Sequence, residues 1–388
     1  MTFEPSAEHA ADREGVARVC ARFPGAYWRD LDARRAYPDA FVEALTEVGY
    51  LSAMIPEEYG GAGLDLAAAA AILEEIHKSG CNAAACHAQM YTMGTVLRHG
   101  DAEQKRTWLP GIAAGTLRLQ AFGVTEPTSG IDTLALRATA TRDGASYVVS
   151  GQKIWTSRAE HSDLMLLLAR TTPRENVETR TDGLSVFLID LRALVGCGVT
   201  IKPIRTMMNH ATTEVFFDRA RIPASSLIGE EGKGFRYILS GMNAERILIA
   251  AECIGDAKWF LDKAAAYAKE RVVFGRPIGA NQGVQFPLAR AFAHMLAAEA
   301  IVHRAAAMYD AGLDPGIEAN SAKMLAADAS WEAAEACVQT FGGFGFAEEY
   351  DVERKFRETR LYQVAPISTN LILCFLAERA LGLPKSYG

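Results

Sequence analysis

The sequence predicts an α+β multidomain protein with helices at both ends and a small β domain between them, and three observations predict it. Up to about Thr116 the apolar residues recur at helical spacing. From about Leu117 short alternating segments rich in Val, Ile, Phe and Thr take over, and from Gly234 to the end long helical patterns return. A chain of 388 residues has room for two or three domains, and the changes of texture divide it into 1–118, 119–230 and 231–388.

In the first part Phe41, Leu45, Val48 and Leu51 form one stripe, and an Ala-rich helix runs from about Leu66 to Lys78. The stretch between them, IPEEYGGAG from Ile55 to Gly63, reads as a loop. In the middle part Leu136 to Ile154 turns at Asp143-Gly144, the hairpin signal, and Leu184 to Ile189 and Glu214 to Phe217 read as further strands. In the last part the helical pattern breaks at Gly275 to Gly283, Ala311 to Pro315 and Gly342 to Gly345, which predicts four or five long helices in a bundle.

An apolar fraction of 49% against 22% charged residues is the balance of a globular chain rather than a disordered one. The net charge of -7 argues against broad attraction to nucleic acid or to an anionic membrane, while leaving room for a local basic patch. Seven scattered cysteines, an odd number without a CxxC pair, fit a reducing compartment. Met1 to Asp12 has no apolar core of a secretory signal, and the longest apolar run, Leu66 to Leu73, is too short to span a bilayer. The expectation is a cytoplasmic protein.

Several chemistries lack their motif. No GxGxxG joins a strand to a helix, no GKS/T closes a Gly-rich loop, no serine sits in GxSxG and no histidines pair as HExxH. Glu74 to His77 matches ExxH, the half-motif of a di-iron bundle, but a second pair is absent, so it reads as an ordinary solvent-facing helix turn and no metal is expected.

The helix beginning near Gly234 is more informative. Arg246, Ala250, Cys253, Ala257, Phe260, Ala264 and Tyr267 follow spacings of four and three, so an arginine heads a small, apolar seam. Such an arginine needs an anionic or hydrogen-bonding partner, either a ligand or a buried ion pair. On the neighbouring face Glu245 lies among Ile238, Met242 and Ile249. Desolvation there would raise its pKa toward neutrality, as a general base requires, although most helical glutamates are simply solvated.

Four segments carry a family resemblance. AFGVTEPTSGID (Ala121 to Asp132) resembles the TEP segment of acyl-CoA dehydrogenases, and GQKIWTS (Gly151 to Ser157) their GxKxWxT segment. RVVFGRPIGANQ (Arg271 to Gln282) is similar to RxxFGxxIxxxQ, and QTFGGFGFAEEYDVERKFRETRLYQ (Gln339 to Gln363) to the C-terminal stretch with its paired glycines. They stand in family order, and the resemblance extends from about Tyr37 to Pro384. It implies an N-terminal α-helical domain, a middle β-barrel domain and a C-terminal four-helix bundle, assembled as a homotetramer with FAD at subunit interfaces.

The resemblance also assigns roles. Phe122, Val124 and Thr125 would hold the flavin pyrimidine edge, Trp155 would lie against the isoalloxazine and Ser157 would reach N5. Arg271 and Phe274 would meet the FAD of a neighbouring subunit, the guanidinium facing pyrophosphate. Gln282, Gln339, Gly342 and Gly343 would complete the adenosine and pyrophosphate surround, with Ser368 and Asn370 as further FAD contacts.

Two departures accompany it. The usual catalytic glutamate, three residues after the YQ pair, is replaced by Pro366; a minority class, including isovaleryl-CoA and long-chain acyl-CoA dehydrogenases, carries the base just before an arginine on the long helix, and Glu245-Arg246 matches that position. Proline also lacks the backbone N–H that ordinarily donates to the thioester carbonyl, which leaves Ile367 or a cofactor hydroxyl to do so. Ile131 stands where the TEP segment usually has serine, with Ser129 or Thr133 as substitutes.

The implied reaction is α,β-dehydrogenation of an acyl-CoA to the trans-2-enoyl-CoA, with Glu245 taking the α proton and the β hydrogen going as hydride to flavin N5. Asn243 and Arg246 would contact the acyl-pantetheine chain, and an electron-transfer flavoprotein would be the acceptor. Glu358 and Asp351 are the next candidate bases. The alternatives are the same fold with a different flavin reaction, as a monooxygenase or a non-oxidative acyl-CoA enzyme, and a cofactor-free helical scaffold. Acyl length and branching are not encoded in these motifs.

Overall fold

The computed structural model describes residues 9–386. Six helices come first: α1 (Ala10–Cys20), α2 (Gly25–Arg34), α3 (Asp39–Glu47), α4 (Leu66–Lys78), α5 (Ala84–His99) and α6 (Ala102–Ala113). The sheet strands follow as β1 (Leu119–Gly123), β2 (Thr139–Asp143), β3 (Ser146–Ser157), β4 (Leu164–Arg170), β5 (Leu184–Asp190), β6 (Val199–Pro203), β7 (Thr212–Pro223) and β8 (Leu227–Ile228), with the one-turn helix α7 (Leu191–Leu194) after β5. Then come α8 (Gly234–Glu270), the short hairpin β9 (Val272–Val273) and β10 (Arg276–Pro277), α9 (Gln282–Asp310), α10 (Gly316–Phe341), α11 (Val352–Thr359) and α12 (Thr369–Arg379). The C-terminal part thus has three long helices and two short ones rather than four or five long ones. Among the described residues no helix is long and apolar enough to cross a membrane.

By internal contact the chain divides into two compact units, each assembled from separated stretches. One takes Ala36–Leu64 and Ala84–Met242; the other takes the described residues through Arg35, Asp65–Ala83 and those from Asn243 onward.

In the unit that holds the sheet, hydrogen bonding runs β6-β7-β3-β2-β4-β5-β8, with β1 parallel on β4. The hairpin expected at Asp143-Gly144 is the β2–β3 turn, where Asp143 pairs with Ser146. Alternation sorts β4 and β5 cleanly. Met165, Leu167, Phe187 and Ile189 join Tyr147, Val149, Val199, Val215 and Phe217 in one cluster, so strands far apart in the pairing order share a core and the sheet curls round it, as a barrel does. Leu164, Leu166, Leu168, Val186 and Leu188 point the other way, onto Met93 and Val96 of α5 and Leu109 and Ile112 of α6. A strand with a core on each face is buried throughout, which is why β4 reads as a continuous apolar run. The stripe expected at Phe41, Leu45, Val48 and Leu51 needs one correction: α3 ends at Glu47, Gly49 turns left-handed, and Val48 is half exposed.

In the helical unit, α8 buries Ala250, Cys253, Ala257, Phe260 and Ala264 completely, the seam that spacing predicted. Helix α4 crosses it at Gly255, where a Cβ would stand 2.3 Å from the Glu74 carbonyl oxygen and 2.7 Å from the His77 Cβ. This close approach overturns the solvent-facing reading of the ExxH turn, since Glu74 is 3% and His77 0% exposed.

Candidate active site

Asn243, Glu245 and Arg246 lie in the first turns of the helical unit's part of α8. Arg246 donates from Nη1 to Asn243 Oδ1 at 3.0 Å. Burial pulls its guanidinium below the ordinary range, and the adjoining Glu245 carboxylate offsets part of that cost. Glu245 itself is half-buried.

The same face of α8 continues through Glu252 and Asp256, seven and eleven residues on, and both are buried. Tyr362 donates its hydroxyl to Glu252 Oε2 at 2.8 Å. His77 Nδ1 lies 2.8 Å from Asp256 Oδ1, and its Nε2 accepts from the Ala83 N–H at 3.1 Å, so the ring proton sits on Nδ1 and is donated to Asp256. Lys355 pairs with the same carboxylate oxygen. Burial pushes the Asp256 carboxyl up, but Lys355 and His77 together hold it at about 2. The candidate bases Glu358 and Asp351 are committed elsewhere: Glu358 accepts from Arg354 Nη1 at 2.8 Å, and Asp351 accepts from Arg29 Nη1 at 2.8 Å. Glu74, Glu299 and His303 have the spacing of a metal group, but the Lys258 ammonium already reaches Glu74 at 2.6 Å and Glu299 at 2.5 Å.

A second set of expected residues gathers at the far end of α8. A rise of about 1.5 Å per residue places this end about 38 Å from Glu245. Arg271 follows the helix, and Phe274 stands fully exposed at the tip of the β9–β10 hairpin, with Phe274 and Gly275 both at positive φ. The Arg271 guanidinium lies 5.6 Å from the Phe344 ring centroid, beside Gly342 and Gly343 at the end of α10. Gly342 adopts φ +58°, and at neither glycine would a Cβ meet another atom within 4 Å. The backbone there is open to close approach. Gln339 and Gln282 are exposed and close to this set in sequence. Ser368 and Asn370 stand apart from it: Ser368 caps α12, its hydroxyl accepting from the Leu371 N–H at 3.4 Å, and follows Ile367, whose carbonyl meets Lys323 in the first half of α10, while Asn370 is exposed.

The sheet unit holds the remaining set. The Ile154 N–H donates to the Thr125 carbonyl at 2.9 Å, which brings Phe122, Val124 and Thr125 beside Trp155 and Ser157. Strand β1 pairs with β4 alone among the described residues, so it lies at an edge of the sheet. A register shift between Lys153 and Thr156 turns Trp155 outward at φ +59°, leaving the indole 57% exposed. Ile131 is exposed, whereas Ser129 is buried with a hydroxyl that has no protein partner among the described residues.

Two residues the motif reading passed over brace this edge. Lys153, fully buried, donates to the Val124 carbonyl at 3.0 Å and to Glu126 Oε1 at 2.8 Å, and Glu126 also accepts from the Arg137 and Ala138 N–H groups at 2.7 and 3.0 Å. Burial lowers the Lys153 ammonium to about 8 even with Glu126 opposing. Their signal in the sequence was two charges inside otherwise apolar or turn segments. Glu126→Gln should therefore cost about 2–3 kcal/mol, read as a lower urea midpoint, because it leaves the ammonium buried with a neutral partner. An unchanged midpoint would remove this bracing role.

Three family models match the chain in succession: acyl-CoA dehydrogenase N-terminal domain over residues 6–116, middle domain over 121–220 and C-terminal domain over 232–380. The chain is 33% identical over 389 residues to the acyl-CoA dehydrogenase fadE12 of Mycobacterium bovis, covering 100% of this chain and 99% of that one. It is 32% identical over 360 residues to the cyclohex-1-ene-1-carbonyl-CoA dehydrogenase of Syntrophus aciditrophicus, covering 92% and 85%. The structure of butyryl-CoA dehydrogenase from Megasphaera elsdenii superposes with a TM-score of 0.91 at 27% identity, covering 99% of this chain and 100% of that one.

Proposed function

Because the chain belongs to the acyl-CoA dehydrogenase family, whose members are FAD-dependent oxidoreductases, we propose that it dehydrogenates an acyl-CoA thioester to the trans-2-enoyl-CoA with Glu245 as general base. The observation that carries this reading is the placement of Glu245 beside a half-buried Arg246 at the head of the α8 seam, with Pro366 at the usual base's position and Glu358 and Asp351 tied up in ion pairs.

The residues present fit FAD. An exposed indole presented by a bulge, with a buried Ser129 hydroxyl that has no protein partner among the described residues, suits a planar ring that both stacks and hydrogen-bonds. Phe122, Val124, Thr125, Trp155 and Ser157 would hold that ring. Arg271 and Phe274, about 38 Å along α8 from Glu245, would with Gln282, Gln339, Gly342 and Gly343 serve the cofactor of a neighbouring subunit, and the proposed assembly is a homotetramer. Ser368 and Asn370 would add contacts near the C-terminus. FAD, when bound, supplies the acceptor for the β hydrogen.

The chain's own work is then positional and electrostatic. Glu245 takes the α proton, Asn243 and Arg246 orient the acyl-pantetheine chain, and a backbone donor holds the thioester oxygen as charge gathers there. An electron-transfer flavoprotein is the proposed electron acceptor.

The test is anaerobic mixing of the FAD-loaded protein with straight and branched acyl-CoAs of increasing length. Bleaching of the flavin absorbance without oxygen or NAD(P)H is expected for at least one. The absence of bleaching across the panel would favour the second reading, a different flavin reaction on this fold, for which Pro366 is the supporting feature.

A further inference from the structure

Lys323 of α10 is 0% exposed, yet the reaction described above gives it no part. Its ammonium donates to the Tyr362 carbonyl at 2.7 Å and to the Ile367 carbonyl at 2.9 Å. One nitrogen thus holds two oxygens within about 6 Å of each other, whereas five extended residues would span about 17 Å. The segment Gln363–Pro366, the place where the usual base and its donor N–H are missing, is therefore a closed turn pinned by a buried cation. The turn has a second anchor, since the Tyr362 hydroxyl donates to Glu252 of α8 at 2.8 Å.

A buried ammonium is costly unless its hydrogen bonds are made, and here two of them are made to the carbonyls at the ends of the turn. The lysine lies along the helix that carries the candidate base, since the Tyr362 it clasps reaches Glu252, two turns of α8 beyond Glu245. Burial lowers its pKa, Cys253, Asp328 and Glu245 oppose the shift, and Arg246 adds to it. Inside the turn the Val364 and Ala365 N–H groups both donate to the Leu361 carbonyl at 2.9 Å, and Pro366 has none. The next donor along the chain is the N–H of Ile367, which makes no hydrogen bond among the described residues.

We propose that Lys323 is a positioning residue: by clasping the Tyr362 and Ile367 carbonyls it sets the turn so that the Ile367 N–H serves the thioester oxygen in place of the donor that Pro366 lacks. This rests on the acyl-CoA dehydrogenation reading. Lys323→Met keeps the length of the side chain and removes its donors.

In the FAD-loaded variant the flavin stays bound, and the limiting rate of anaerobic bleaching falls about tenfold to a hundredfold while the acyl-CoA Kd moves less than threefold. The C=O stretch of a bound 2-enoyl-CoA, lowered when the oxygen accepts a hydrogen bond, returns toward its solution value. A C=O stretch and bleaching rate equal to wild type overturn the inference. Should Lys323→Met fail to fold, hydrogen exchange on the wild-type holoenzyme decides: the Ile367 amide is protected by the 2-enoyl-CoA but not by an S-alkyl-CoA of the same length, which has no carbonyl. Equal protection by both overturns the inference. A wild type that no acyl-CoA bleaches sinks the activity itself, whereas a bleaching wild type matched by Lys323→Met sinks only the role of the lysine.

Discussion

Glu245→Gln should keep FAD bound and slow anaerobic bleaching by acyl-CoA about a hundredfold to ten-thousandfold, the usual contribution of a positioned general base. Glutamine preserves the volume of the half-buried side chain on α8 and the local helix, so the loss isolates the carboxylate. Flavin content and melting temperature should stay near wild type, and stopped-flow absorbance reads the rate. Bleaching at the wild-type rate would remove Glu245 from the reaction. Glu358 and Asp351 would be poor successors, because each is held by an arginine at 2.8 Å.

Asp256→Leu should lower the stability of the chain by about 3–5 kcal/mol, since Lys355 is left charged in a site with no solvent. Asp256 and Lys355 are both 0% exposed, and His77 donates to the same carboxylate oxygen. Removing both partners, as Asp256→Leu with Lys355→Met, should recover most of the loss, because no uncompensated charge then remains. The urea midpoint of the three proteins separates the cases; a double variant no better than the single one would show that the cluster acts through shape rather than charge. The pH dependence has a definite sign. The folded Asp256 carboxyl sits at about 2, below an unfolded value of about 3.9, so its stabilisation is complete above the unfolded value and is lost as pH falls from about 4 to about 2. The midpoint of Asp256→Leu should be flatter than wild type across that window.

Much of the fold could be read from the sequence because the signals were periodic and local. The Asp143-Gly144 turn, the three helix breaks and the alternation of β5 and β7 depend on neighbours in the chain, and they appear where expected. The spacing that put Arg246, Ala250, Cys253, Ala257, Phe260 and Ala264 in one seam is likewise a property of a single helix. The TEP and Trp155 segments drew attention as motifs, but the bulge that turns the indole outward comes from the pairing of β3 with β7.

What spacing cannot give is the identity of the surface that a face meets. The turn from Glu74 to His77 carries the charge of a solvent-facing helix, yet Gly255 lets α4 settle against α8, and the two polar residues become the centre of a buried network. Lys153, Lys323 and Lys355 look like surface lysines in the linear order; each is buried because carbonyls or carboxylates distant in sequence converge on its ammonium. The sequence by itself determined the order of the elements, the helix that carries the candidate base and the family. Only the tertiary structure decided which charged side chains lost their water, because that depends on partners many residues away and on desolvation costs that no local pattern contains.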